Sequence, residues 1–254
     1  MILSIITINK DNKSGLERTL NSLKNQINNQ VELIIIDGAS KDGSLDVVEE
    51  YRSIIHTHIS EKDRGIYNAM NKGVHLAKGD YIYFLNSGDI WNNNTSLSEL
   101  IKDLKNTDFI LCSSIWRYNS FLKLTERLPG LMNKYDLYDG VCHQSTFVRT
   151  ELLKKEGFDE KYLTADWQFL FKKIYIDKAT YGIVNKSVAV YDLNGISSDF
   201  KTQDRIKREK RKFLKEHSIN LNKSSYFSYC LRSRLILKKI FMIGIWQIQK
   251  IKRN

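Results

Sequence analysis

The chain has 254 residues, 42% hydrophobic and 27% charged, which excludes wholesale disorder and allows one large α/β domain with an appendage. Its net charge of +11 sits at the far end: residues 201–254 hold 16 Lys and Arg against 3 acids, leaving the first 200 residues at −2. Cys112, Cys142 and Cys230 are widely spaced without a CxxC pair, which argues against a disulfide framework and a zinc cluster and fits a reducing cytosol.

The start, MILSIITINKDN, lacks a basic leader and a small-residue cleavage site, so it is expected to be a first strand and not a signal peptide. Residues 3–8 form a buried-strand run, and residues 15–26 place Leu16, Leu20 and Leu23 at helical spacing. A second strand is expected over 31–37, a helix over 44–54, a short strand over 56–60, a helix over 66–77 and a fourth strand over 80–86. That alternation predicts an α/β fold with a mostly parallel, doubly wound sheet, in which ligands bind beyond the carboxyl ends of the strands. The polar turns NKDN, DGASKDGS, SEKDRG and NSGD all fall at those ends and bring Asp37, Asp42, Asp63, Arg64 and Asp89 to one edge.

After about residue 106 the alternation weakens. Strands are expected at 108–118, 143–149, 179–184 and 186–193, with helices near 150–156 and 166–176, and Pro129 in a loop between them. No linker or repeat interrupts this half, which is expected to continue the sheet and cover the cleft. Residues 204–217 predict a solvated basic helix. Farther on, the uncharged stretch Ile240–Gln249 is flanked by basic residues; it is shorter than the roughly 18–20 residues of a membrane span and suits either an anionic membrane surface or packing on the domain. The division expected is therefore a domain over 1–203 and a basic tail over 204–254.

The segments LSIITI, ELIIIDGASKDGS, SEKDRGIYNAMNKGVHLAKGDYIYFLNSGD, HQSTF, FDEKYLTADWQFLFK and NGISS occur in the order and spacing of the family 2 glycosyltransferases with the GT-A fold. The chain resembles bacterial enzymes of the colanic acid and O-antigen type over about residues 1–200, most specifically from Ser60 to Asp89. The resemblance implies an inverting transferase that takes a UDP-sugar donor and a saccharide acceptor, lipid-linked on a polyprenyl diphosphate, at the cytoplasmic face of the membrane. A divalent cation, Mn²⁺ or Mg²⁺, would offset charge on the leaving diphosphate.

By the same resemblance Asp89 is the metal ligand, ending a DxD-like motif whose first acid is replaced by Asn86. Asp37 stands where the family reads the uracil N3–H, and Thr7 and Asn9 match the base-binding turn. Asp63, Arg64, Asn71 and Ser87 fall in nucleotide-sugar segments, although an exposed Asp-Arg pair is also ordinary surface charge and Asn71 in NKG also suits a purely structural role. Asp166 matches the base that deprotonates the acceptor, His143 and Gln144 match an HQ pair on a strand facing the cleft, and Trp167 suits either a sugar or the helical core.

Two other classes compete. The same fold with lost catalysis would be a scaffold. The basic tail would also suit nucleic acid, but the sparse aromatic interleaving and lack of a nucleic-acid motif argue against that partner.

Overall fold

The structure is a computed structural model that describes residues 2–104, 106–118, 122–126, 133–139, 141, 143–192 and 200–222. In chain order, β1 (Leu3–Asn9), α1 (Lys13–Leu23), β2 (Val31–Asp37), α2 (Ser44–Glu50), β3 (Thr57–Ser60), α3 (Ile66–Leu76) and β4 (Tyr81–Phe84) alternate as expected. There follow β5 (Ile90–Trp91), α4 (Leu97–Asp103), β6 (Phe109–Tyr118), β7 (Leu122–Glu126), α5 (Lys134–Asp139), β8 (Thr146–Arg149), α6 (Thr150–Glu156), α7 (Ala165–Phe171), β9 (Tyr181–Asp192) and α8 (Phe200–Glu216).

Nine strands form one sheet in the order β3-β2-β1-β4-β8-β6-β9-β5, with β7 paired to β6. The four strands from β3 to β4 run parallel. β8 then runs antiparallel to both β4 and β6, and β9 pairs parallel with β6. Alternation along the central strands builds a core on each face, because successive side chains point to opposite sides. Leu3, Ile5, Val31, Leu33 and Ile35 face α1, α2 and α4, whereas Ile6, Ile34 and Ile36 face α3, α7 and α8. Each fully buried aliphatic side chain here contributes about 1.5–3 kcal/mol relative to exposure.

Two details hold this core in register. Gly73 brings α3 onto β1, for a methyl group there would lie 2.5 Å from Ile6 Cγ2. Buried Glu32 accepts from Ser4 Oγ and from the backbone N–H groups of Lys78 and Gly79, which sets the start of β4.

Several expected boundaries shift. His143 and Gln144 lie in a 3₁₀ turn, His143–Ser145, because ladder pairing of β8 begins only at Thr146 opposite Leu111. The strands expected at 179–184 and 186–193 are one strand, β9, whose register against β6 jumps between Val184 and Ser187. The helix expected over 166–176 is α7 followed by a π-helical turn, Lys172–Ile176.

The expected 203/204 division falls inside α8, whose Phe213 and Leu214 are buried against the same core as Trp167 and Phe171. No helix among the described residues is long and apolar enough to cross a membrane. Pro129, the NGISS loop but for its neighbour Phe200, and Ile240–Gln249 lie outside the described residues.

Candidate active site

The carboxyl ends of β1 and β2 are closed by an interlocked pair of loops. Asp37 ends β2 with no exposed surface, and its oxygens accept from Asn9 Nδ2 at 2.9 Å, Ser40 Oγ at 2.5 Å, Ser40 N at 2.9 Å and Ser60 Oγ at 2.7 Å. Burial raises the Asp37 carboxyl, but these donors outweigh it and hold the group below its ordinary value. Ala39 takes a left-handed conformation, φ 59°, which turns Ser40 back onto Asp37. Asp11, φ 46°, accepts from Lys41 N at 2.9 Å and donates its own N–H to Ser40 Oγ at 2.8 Å. Asp42 accepts from Lys13 N and from Ser44 N and Oγ, tying the first turns of α1 and α2 together. The oxygen Oδ1 of Asn9 remains buried without a partner.

One strand further along the edge, the Asn86–Asp89 turn leaves β4. Gly88 has φ 103°, a conformation that a side chain would strain. Its N–H donates to Thr19 Oγ1 at 3.0 Å, Thr19 donates to Asp89 O at 2.6 Å, and Ser87 exchanges hydrogen bonds with Asn12, so α1 fixes the turn. Asp89 is 8% exposed. Thr7, fully buried in β1, donates to Leu85 O at 2.8 Å and ties the two strands.

Facing this turn is the first residue pair of α7 together with the 3₁₀ turn before β8. Asp166 Oδ1 accepts from Tyr67 Oη at 2.6 Å and Oδ2 lies 2.6 Å from His143 Nδ1. His143 Nε2 in turn lies 3.4 Å from Asn86 Nδ2, which links the α7 side to the β4 turn. Burial raises the Asp166 carboxyl, yet the bond and charge of His143 and the Tyr67 bond prevail and hold it at about 2. Burial lowers the His143 ring, and Asp166 followed by Asp89 overcomes this and raises it. Burial and the neighbouring Asp166 keep the Tyr67 hydroxyl well above its usual range, protonated.

Thus Asn86, Asp89, His143 and Asp166 share one cluster, and Asn9 and Asp37 lie beside it across β1. The remaining expected residues are used differently. Asn71 bonds Phe158 N and O, at 2.9 Å each, and pins α3 to the segment before α7. Arg64 pairs with Glu160, which also accepts from Asn68 at 3.0 Å. Asp63 pairs with Lys72 at 2.6 Å beside Gly38. Trp167 is buried, donates to Leu137 O at 2.8 Å and packs edge-on against Phe213, placing it in the core and outside the cluster. Gln144 accepts through its backbone from Tyr83 Oη at 2.8 Å.

Tyr67, Ser40 and Ser60 were not singled out by sequence. Only the alternation of small polar residues at strand ends hinted at the two serines. Among the described residues no group of three or more His, Cys, Asp or Glu side chains is placed to hold a metal ion. The Asp89 carboxylate and the unpartnered Oδ1 of Asn86 are oxygen donors of the kind that suits a hard cation such as Mg²⁺ or Mn²⁺, which takes most of its shell from phosphate and water.

A doubly wound sheet with polar loops gathered at one carboxyl edge is the GT-A architecture, and solved structures agree. Residues 1–349 of TarS from S. aureus, in complex with UDP-GlcNAc, superpose with TM-score 0.64 at 21% identity, covering 76% of this chain, which spans 58% of that fragment. Glucosyl-3-phosphoglycerate synthase from Mycobacterium tuberculosis, in complex with Mn²⁺, UDP and glucosyl-3-phosphoglycerate, gives TM-score 0.59 at 15% identity over 87% of this chain and 81% of that one. The family described as Glycosyl transferase family 2 matches residues 4–177, and the chain belongs to it. It is also 28% identical over 224 residues to a PGL/p-HBAD biosynthesis glycosyltransferase of Mycobacterium tuberculosis, covering 82% of this chain and 83% of that protein.

Proposed function

We propose that this glycosyltransferase inverts configuration as it moves a sugar from a UDP-sugar to a saccharide carried on a polyprenyl diphosphate. The product would be a surface polysaccharide such as O-antigen, capsule or exopolysaccharide, assembled at the inner face of the cell membrane. The observation that carries this reading is the placement of the Asp37, Asp89 and Asp166 loops along one carboxyl edge. A relative named for PGL/p-HBAD biosynthesis, and structures similar in fold that hold UDP-GlcNAc or UDP with Mn²⁺, support it.

In this reading the uridine lies against the β1–β2 end. Asp37 holds Asn9 and Ser40 rigid there, and the unpartnered Asn9 Oδ1 supplies an acceptor for an imide N–H. Asp89 would be the side chain that holds a divalent cation. When bound, the cation offsets the charge that grows on the leaving diphosphate. The acceptor hydroxyl attacks C1 from the opposite side and gives up its proton to the Asp166–His143 pair, so an α-linked donor yields a β-linkage. The basic excess of residues 201–254 draws the enzyme to anionic lipid, at about 1 kcal/mol per nearby basic residue.

Thermal shifts with a panel of nucleotide sugars, with and without Mn²⁺, followed by mass analysis of transfer to synthetic lipid-linked saccharides, test the reaction. UDP-sugars are expected to stabilise the protein most and Mn²⁺ to increase the effect. Indifference to every UDP-sugar would end this reading.

A further inference from the structure

Tyr67, in the first turn of α3, is bonded to the residue that receives the acceptor's proton in the transfer reaction proposed above, and the role inferred for it rests on that reading. Gly65 starts the helix at φ 143°, a conformation that only glycine takes without strain, and its carbonyl accepts from Ala69 N at 3.2 Å. Tyr67 is 6% exposed, with its ring tilted against Phe158 at 5.5 Å. Its hydroxyl lies 2.6 Å from Asp166 Oδ1 and 3.0 Å from Leu163 O. The shorter contact has the length of a hydroxyl bonded to an ionised carboxylate.

Asn68 and Asn71 of the same helix hold Glu160 and Phe158, so the segment leading into α7 is already fastened without Tyr67. What the Tyr67 hydroxyl adds is contact with the carboxylate itself. A hydroxyl carries one hydrogen and two lone pairs, and it turns to suit its neighbours. While Asp166 is ionised, Tyr67 donates to Oδ1. Once Asp166 carries a proton, the same hydroxyl can donate to Leu163 O and offer Oδ1 a lone pair. The geometry therefore serves both states of the carboxylate without moving a heavy atom.

We propose that Tyr67 is a positioning residue for the transfer step: its hydroxyl aims the ionised Asp166 carboxylate and turns to Leu163 O as the acceptor's proton arrives. The acceptor oxygen forms its bond to C1 as the bond from C1 to the diphosphate oxygen breaks, its electron pair leaving on the diphosphate. The proton passes from the acceptor hydroxyl to Asp166 and then to solvent. Tyr67 keeps its own proton throughout, as its burial beside a carboxylate requires.

Tyr67→Phe removes the hydroxyl and keeps the ring against Phe158. UDP release from UDP-GlcNAc and UDP-glucose by the full chain, with water and glycerol as acceptors and saturating Mn²⁺, is expected to lose about 10–10²-fold in kcat. Donor KM and the thermal shift on UDP binding should stay as in wild type. Tyr67→Phe combined with Asp166→Asn should be no slower than Asp166→Asn alone, because the hydroxyl acts only through the carboxylate.

A kcat within about twofold of wild type, or an added loss in the double variant as large as that of Tyr67→Phe alone, would overturn the proposal. So would a donor KM that rises as kcat falls, the mark of a damaged fold. Proton NMR needs no turnover: a bond this short to a carboxylate gives a hydroxyl resonance far downfield, not attached to nitrogen, that disappears in Tyr67→Phe. Its absence from the wild-type protein would also overturn the proposal. Wild-type protein that releases UDP from neither donor would count against the transfer reading, while the resonance would still decide the pairing of Tyr67 with Asp166.

Discussion

Two carboxylates on the same strand edge are held below their ordinary range by opposite kinds of neighbourhood. Asp37 is enclosed and surrounded by small neutral donors from Asn9, Ser40 and Ser60. Asp166 borders solvent and is held by one aromatic hydroxyl and one ring that can itself become charged. A carboxylate bound by neutral donors organises a turn and has nothing to exchange. One bound to an imidazole shares a proton-bearing partner, which is the arrangement a proton transfer requires. In the proposed reading, the difference separates a residue that holds the nucleotide end of the edge in shape from one that serves the transfer step.

That contrast predicts where damage will appear. Asp166→Asn should lower transfer by about 10²–10⁴-fold while shifting the melting temperature far less than a change at Asp37. Paired kinetics and melting curves check this, and equal losses of stability in both variants would erase the distinction. Asp37→Ala strands several buried donors, each worth about 1.5–3 kcal/mol toward a charged partner, so a loss of at least about 3 kcal/mol, and of roughly 6 °C or more in Tm, is expected by calorimetry.

A third comparison uses pH. Asp166 is lowered to about 2, so its contribution to stability is present above the unfolded carboxyl value and disappears as pH falls toward 2. His143 is raised, so its contribution is full below the unfolded imidazole value and disappears as pH rises through the folded one. The Tm difference between wild type and Asp166→Asn should therefore be largest between roughly pH 4 and 6.5 and shrink on both sides, as melts across pH will show. Arg64→Ala, which breaks only an exposed pair with Glu160, should cost less than about 1 kcal/mol by denaturant titration.

How much of this was legible in the sequence follows the same division. The parallel half declared itself, because β1 and β2 alternate toward two cores and their polar turns must then share an edge. Asp89 and Asp166 were singled out by the family resemblance, and the fold brings both to the same edge. Tyr67 was hidden: it lies in an amphipathic helix, reads as core, and finds its carboxylate 99 residues away. His143 was expected on a strand, since HQSTFVR carries strand-like residues and only the missing ladder partners show that pairing starts later. Asn71 and Trp167 illustrate the converse, motif positions whose polar atoms are spent on the fold.

The docking of α8 has a practical consequence. Glu209 accepts from the N–H and the hydroxyl of Thr164, the residue that starts α7, while Phe213 and Leu214 close the core beneath Trp167. The basic helix therefore acts as a brace for the very turn that presents Asp166. Deleting it to probe lipid attachment would confuse a lost anchor with a collapsed reaction centre. A cut made after Asn222 removes the remaining basic residues and leaves the brace standing, so that vesicle sedimentation and turnover can fail independently.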